Sequence, residues 1–302
     1  MAQDPEPFFT QLQPGELGRR FCVWHAPAGW TVPLGLVVHV HAFAEEMNKS
    51  RRMVALQART LSAEGYAVLQ TDLLGCGDSA GDFADATWGA WLQDVVAACA
   101  LAQTRFTQLW PGAPAPALWL WGQRAGALLA AQAVHSLGEQ WNLLLWQPST
   151  SGKSVLQQFL RLDTVGSLMG KGGERSPAKA ELGAGRCANI AGYAITPALA
   201  QGLEAARLEA PVVAAHCARL EWIELGAHPS GAANAAVQPV LQSWADAGWA
   251  VRHRSAVGPG FWLTTEIQEA PALLRATLEA LRPNVPENTV PGSTASQTAA
   301  TA

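Results

Sequence analysis

Trp119-Leu120-Trp121-Gly122-Gln123-Arg124-Ala125-Gly126-Ala127-Leu128-Leu129-Ala130-Ala131 decides how the chain is to be read. An apolar run meets a turn bracketed by Gly122 and Gly126, and an Ala/Leu-rich helix starts at once. A strand–turn–helix of the form G-x-X-x-G bends so sharply that the middle side chain is lifted above the sheet. The glycines have a steric job. Without Cβ atoms at 122 and 126, helix and strand can approach closely around the bend. The raised position is Arg124. A guanidinium stays protonated in proteins and is no nucleophile.

Outward from this turn the chain alternates strands and helices. Phe21–Trp24 reads as a short strand, and Leu34–His41 as an almost wholly apolar one buried on both faces. The loop His41–Glu46 follows. Asn48 is the expected cap of a helix to about Ala63, with Met53, Leu56, Thr60 and Leu61 as its buried stripe. Ala67–Thr71 is the next strand, followed by the glycine-rich loop Asp72–Gly81 and a helix over about Thr87–Gln103. Beyond the elbow come a strand Leu143–Trp146, a short helix marked by Leu156, Phe159 and Leu160, and a strand Arg219–Leu225. A helix near Val237–Ala247, a strand Ala250–Ala256 and a helix Pro271–Leu281 complete the pattern. Such alternation predicts an α/β fold, mainly a parallel sheet with helices on both faces. The expected organisation is an N-terminal arm over 1–18, one domain over 19–282 and a Pro/Ser/Thr/Ala-rich disordered tail over 283–302. Between about 149 and 208 the periodicity weakens, as an inserted cap would make it.

Composition narrows the function classes. The 302 residues are 49% hydrophobic and 15% charged, with a net charge of −4. That is enough apolar material for a large core, without the basic footprint of a nucleic-acid or anionic-membrane binder. No apolar run approaches the roughly 20 residues of a membrane span, and no secretory signal stands at the N-terminus. Five scattered cysteines without a C-x-x-C suggest reduced thiols and a cytoplasmic protein. No metal-ligand spacing or cofactor motif is expected. Gly75-Cys76-Gly77-Asp78-Ser79-Ala80 matches G-x-G-x-x-A, but Gly81–Ala86 delays the helix whose N-terminus would face a pyrophosphate, and Asp78 would repel it. Gly152-Lys153-Ser154 resembles the end of a phosphate loop, yet Gln147 occupies the place of its first glycine.

The elbow and the order of elements resemble the α/β-hydrolases, whose usual parts can be sought one by one. Oxyanion donors would be the backbone N–H of Ala125 and that of Phe43 or its neighbour Ala42. The acid would follow the strand ending at Leu225, but Gly226–Pro239 holds no Asp or Glu. The histidine would follow the last strand, where the chain reads Val257-Gly258-Pro259-Gly260-Phe261-Trp262. Glu224 and His253 lie inside strands. A Ser-His-acid triad is therefore not expected, and Ser149, Thr150, Ser151 and Cys76 lack an identifiable base to replace it. Arg124 has two open readings: a clamp for a carboxylate or phosphate at the sheet's carboxyl edge, or a residue paired internally with a carboxylate. His41, Glu45, Glu46 and Glu266 are its expected pocket companions, with Trp262 as a wall.

A narrower resemblance rests on several stretches together. His39-Val40-His41-Ala42-Phe43-Ala44-Glu45-Glu46-Met47-Asn48-Lys49-Ser50-Arg51, Asp72–Gly81 and Trp121-Gly122-Gln123-Arg124-Ala125-Gly126 look like the second type of exosortase A system-associated hydrolase. Leu145-Trp146-Gln147-Pro148, Gln158–Leu162 and Phe261-Trp262 before Glu266 fit as well, so that the likeness covers about 20–282. The resemblance implies a hydrolase-like fold with a role beside exosortase and exopolysaccharide proteins, on a small-molecule or glycan-linked substrate. It leaves open an unconventional hydrolase or a catalytically silent binding protein.

Overall fold

The computed structural model describes residues 4–27, 29–137, 141–168, 177–211, 218–228 and 233–282, with the backbone alone over 164–168. The expected tail at 283–302 lies outside the described residues. In chain order the elements are β1 (Glu6–Gln11), β2 (Arg19–His25), β3 (Gly35–Val40), α1 (Glu45–Ala63), β4 (Tyr66–Thr71), α2 (Trp88–Leu109), β5 (Ala117–Gln123), α3 (Gly126–Val134) and β6 (Trp141–Trp146). After them come α4 (Gly152–Leu168), α5 (Ala178–Gly183), β7 (Ala188–Ile190), β8 (Tyr193–Ile195), α6 (Pro197–Ala205), β9 (Arg219–Gly226), α7 (Gln238–Asp246), β10 (Ala250–Val257) and α8 (Pro271–Leu281).

Eight strands form one sheet in the order β1-β2-β4-β3-β5-β6-β9-β10. β1 pairs antiparallel with β2, and β2 with β4; the other pairings are parallel. All six residues of β3 are buried, as a strand covered on both faces should be. Alternation along β5 divides the core. Leu118 and Leu120 face the layer of α2, α3 and α4, while Trp119 and Trp121 face α1 and α8. Trp88 and Trp91 are packing residues on α2, and the Trp91 indole donates to the Leu74 carbonyl at 2.9 Å.

The first part of the chain departs from expectation in three elements. The arm contains β1, which pairs antiparallel with β2 as the edge of the sheet. α1 begins at Glu45 rather than beyond Asn48. Ala44 precedes it without a side-chain cap, and Glu45 and Glu46 occupy the first turn, where carboxylates favour the positive end of the helix dipole. Asn48 instead donates to the Tyr193 hydroxyl at 2.9 Å. Leu56 and Thr60 are half-buried; the buried stripe runs through Met53, Gln57 and Leu61. α2 extends six residues past Gln103, to Leu109.

The glycine-rich loop is tied down locally. Gly75 N–H donates to Ala80 O, Ala80 N–H to Arg19 O, and Leu74 N–H to Asp94. Gly75 and Gly77 take positive φ, 68° and 53°, to make the turn. Between β6 and β9, α4 packs against α6, and the β7–β8 hairpin lies alongside.

Candidate functional site

The chain leaving each of three adjacent strands passes through a strained residue. Ala44 beyond β3, Arg124 beyond β5 and Gln147 beyond β6 all take positive φ, at 49°, 53° and 40°. Non-glycine residues rarely adopt this conformation, which costs on the order of 1–3 kcal/mol each. At the elbow the strain is locked by hydrogen bonds. Arg124 N–H donates to Trp146 O at 3.0 Å, and Arg124 O accepts from Ser149 N–H at 3.1 Å and Ala127 N–H at 3.2 Å. A Cβ on Gly122 would lie 2.7 Å from the Ala127 Cα, and one on Gly126 would strike the Val40 and His41 carbonyls. Both glycines are therefore required by close backbone approach.

The raised guanidinium is held on three sides. Its Nε and Nη2 reach the Glu46 carboxylate at 3.1–3.2 Å, and Nη1 donates to the Gln147 carbonyl at 3.3 Å. One face lies over the Trp262 ring, 5.2 Å from its centroid. This partnership combines a salt bridge and a cation–π contact. Glu46 stands on the first turn of α1, directly after the strained Ala44. Burial pushes its carboxyl above the ordinary range, while the Arg124 charge and hydrogen bonds pull it back. Desolvation is the larger influence.

Above the pair lies a cavity of about 280 Å³. Its charged part is Arg124, Glu46 and a Glu45–Lys49 ion pair of 2.8 Å. Its apolar part comes from Phe43, Trp262 and Leu263, with Val155, Phe159 and Leu162 spaced along α4 at i, i+4 and i+7. Gln158 adds an amide. Among the described residues the lining has no hydroxyl, thiol or imidazole side chain. The side chains suit binding of an anion attached to an apolar body.

Other expected residues fall elsewhere. His41 is buried, pairs through Nδ1 with its neighbour's carbonyl Ala42 O at 2.8 Å, and accepts Leu73 N–H at Nε2, 3.3 Å; it lines a different hollow. Glu266 is exposed and does not line the Arg124 cavity. Glu224 and His253 pair with each other at 3.1 Å across β9 and β10, and neither lines the cavity. Burial raises the Cys76 thiol far above its ordinary range, which leaves no thiolate for attack. The Phe43 and Ala125 N–H groups have no intrachain acceptor among the described residues. Among the described residues no group of three or more His, Cys, Asp or Glu side chains could hold a metal.

Solved structures of esterases and serine hydrolases superpose on most of this chain. This chain has the α/β-hydrolase fold. It is similar to a highly thermostable carboxyl esterase from Bacillus coagulans, solved with glycerol, at 16% identity and TM-score 0.53, covering 85% of this chain and 91% of that one. It is similar to Est1E of Butyrivibrio proteoclasticus, solved with ferulic acid, at 14% identity and TM-score 0.54, covering 87% and 95%. An α/β serine hydrolase homologue from Coxiella burnetii gives 12% identity and TM-score 0.52, covering 92% and 97%. At these identities the likeness is one of fold. No protein-family model and no curated protein sequence matches the chain. No helix among the described residues is long and apolar enough to cross a membrane.

Lys49 and the α4 residues Val155 and Leu162 are not among the expected site residues. The signal for Lys49 was its i, i+4 spacing from Glu45; that for α4 was an apolar stripe with no assigned partner.

Proposed function

We propose that this protein is a binding protein built on the hydrolase fold, acting in the cytoplasm beside an exosortase and exopolysaccharide system. Its ligand is a small anionic molecule with an apolar portion, such as a glycan precursor or glycan-linked segment. The observation that carries this reading is the Arg124–Glu46–Trp262 arrangement at the elbow. The loop that would supply a histidine supplies Trp262 instead, and the raised residue is a cation stacked upon it. An incoming carboxylate or phosphate competes with Glu46 for the guanidinium, while Phe43, Phe159 and Leu162 cover its apolar part. The raised pKa of Glu46 supports this exchange, because a carboxylate disfavoured by burial is the easier one to displace.

The experiment combines a chemical and a binding measurement. A fluorophosphonate probe and a panel of esters and thioesters should give neither labelling nor turnover. Glucuronate and glucose 1-phosphate, titrated calorimetrically as carboxylate and phosphate probes, should bind, with affinity falling at least about tenfold in Arg124→Ala. Turnover lost in Arg124→Ala would overturn the binding reading. It would favour an unconventional hydrolase using the Phe43 and Ala125 N–H groups as oxyanion donors, a second reading supported by their lack of intrachain acceptors. Binding of neither probe, without turnover, would reject both.

A further inference from the structure

The sheet face beneath α1 holds a second hollow that the elbow does not use. Four neighbouring strands contribute polar side chains to it: His25 from β2, Gln70 from β4, His39 from β3 and Gln123 from β5. A sheet face covered by a helix is ordinarily apolar, since polar groups taken out of water need partners there. A row of imidazoles and amides across the centre of the sheet is not required by the fold. The hollow measures about 290 Å³, where one water occupies roughly 30 Å³. It has room for a molecule of several heavy atoms.

Part of this polar set is satisfied within the chain. His25 Nε2 and Gln70 Oε1 are 3.1 Å apart, and Gln123 donates to Ser50 Oγ at 2.7 Å. The rest is not. His39 Nε2 and Gln123 Oε1 have no hydrogen-bond partner among the described residues. Yet His39 is only 6% exposed and Gln123 1%. A buried polar atom without a partner calls for a water, an ion or a ligand. The rim is cationic. Arg51 reaches Asp72 at 3.1 Å, and Arg59 has no ion-pair partner among the described residues. Burial holds the His25 and His39 imidazoles below their ordinary pKa, with Arg59 adding to the effect on His25, and His41 and then Arg51 to that on His39. At neutral pH each is therefore a neutral ring with one donor and one acceptor nitrogen.

We propose that this hollow is a binding site, distinct from the Arg124 cavity, for a small polar molecule bearing an oxyanion. The carboxylate or phosphate faces Arg59 and Arg51 at the rim, and its hydrogen-bonding body faces His39 and Gln123. Arg51 is already shared with Asp72, so Arg59 supplies the uncommitted charge. The site rests on different residues from the elbow, and its occupancy does not depend on the elbow's role.

The full chain is titrated near neutral pH with inorganic phosphate and, separately, succinate, by calorimetry and by NMR of the histidine imidazole nitrogens. The expected result is saturable binding of at least one probe that shifts the His39 resonances, which report this hollow and not the elbow. Arg59→Gln, an exposed substitution that leaves the core untouched, weakens binding at least about tenfold. Arg124→Gln leaves the affinity read from the His39 shifts within about twofold. Phosphate binding alone identifies a phosphate-bearing ligand, and succinate binding alone a carboxylate. Unshifted His39 resonances with both probes would overturn the proposal and leave a hollow holding solvent only. So would an affinity indifferent to Arg59→Gln, or one lost only in Arg124→Gln, which would return the anion to the elbow.

Discussion

Two arginine–carboxylate pairs in this molecule look alike in composition and differ in burial, in contact distance and in what surrounds them. Arg20 and Asp94 join β2 to α2 in a sealed interior, with side chains 1% and 0% exposed and bidentate contacts of 2.8 and 3.0 Å. Further guanidinium N–H groups donate to the Leu17 and Arg19 carbonyls, and Asp94 also accepts Leu74 N–H, which anchors the glycine-rich loop. Arg124 and Glu46 are 13% and 20% exposed, their contacts are 3.1–3.2 Å, and they border a cavity. Charge-assisted bonds prefer about 2.7–2.9 Å, so the second pair is the looser one. The difference separates a structural ion pair, whose groups have nowhere else to turn, from one that can exchange its partner.

The largest effect should come from breaking the sealed pair. Arg20→Met leaves Asp94 buried without its cation and should lower unfolding stability in urea by about 3–5 kcal/mol. Restoring apolar balance with Asp94→Leu should recover much of the loss. Equal stability of the single and double variants would mean that the carboxylate is not the source of the cost.

Arg124→Met should be gentler. The Arg124–Glu46 pair is partly buried beside a cavity, and Glu46, whose carboxyl pKa burial already raises, can take up a proton once its cation is gone. The loss of stability should therefore be smaller than in Arg20→Met, while anion binding at the elbow collapses. Glu46→Gln should act in the opposite direction on binding, because Arg124 loses its competing carboxylate. A fall in anion affinity with Glu46→Gln would contradict partner exchange.

Trp262→Leu removes the stacked face and should weaken elbow binding by about 0.5–2 kcal/mol, the range of a cation–π contact. Calorimetry against the same probes would measure it. An unchanged affinity would make Trp262 a wall and nothing more.

The smallest effect is one of pH. Burial raises the Glu46 pKa above its ordinary 4.5. The folded chain therefore keeps a proton that the unfolded chain has released. This stability contribution is present below the unfolded value and is lost as pH rises through the folded one. In the same window, acidification neutralises Glu46 and frees Arg124, so affinity for an already ionised phosphate should rise as pH falls. Glu46→Gln should flatten that slope, and a slope surviving the substitution would assign it to another group.

Much of the frame was legible before any coordinates. Gly122 and Gly126 predicted a close backbone approach, and the Cβ positions at both sites collide with neighbouring backbone. The apolar run of β3 predicted burial on both faces. Boundaries were less legible: α1 starts at Glu45 because an acidic first turn replaces the side-chain cap that Asn48 promised. β1 was missed because an edge strand needs only its partner β2, and its alternation is short and weak. At the candidate site, Arg124 stands at the elbow and Trp262 beside it, whereas His41 and Glu266 do not join them. His41 follows the same strand as Phe43, but its ring is bonded to Ala42 and Leu73 and lines the hollow below α1.

The sequence by itself determined the alternation of parallel strands and helices from β3 onward, the sharp turn and the positive charge mounted on it. These follow from local periodicity, from two missing Cβ atoms and from a guanidinium that stays protonated. Tertiary structure decided which of two adjacent carboxylates meets that charge. Glu45 turns to Lys49, while Glu46, 78 residues from Arg124 in sequence, reaches its guanidinium. That choice depends on the strained Ala44, which sets the direction of the first turn of α1, and on strands β3 and β5 lying side by side. Side-chain direction is a property of the assembled turns and sheet, and residue order alone does not carry it.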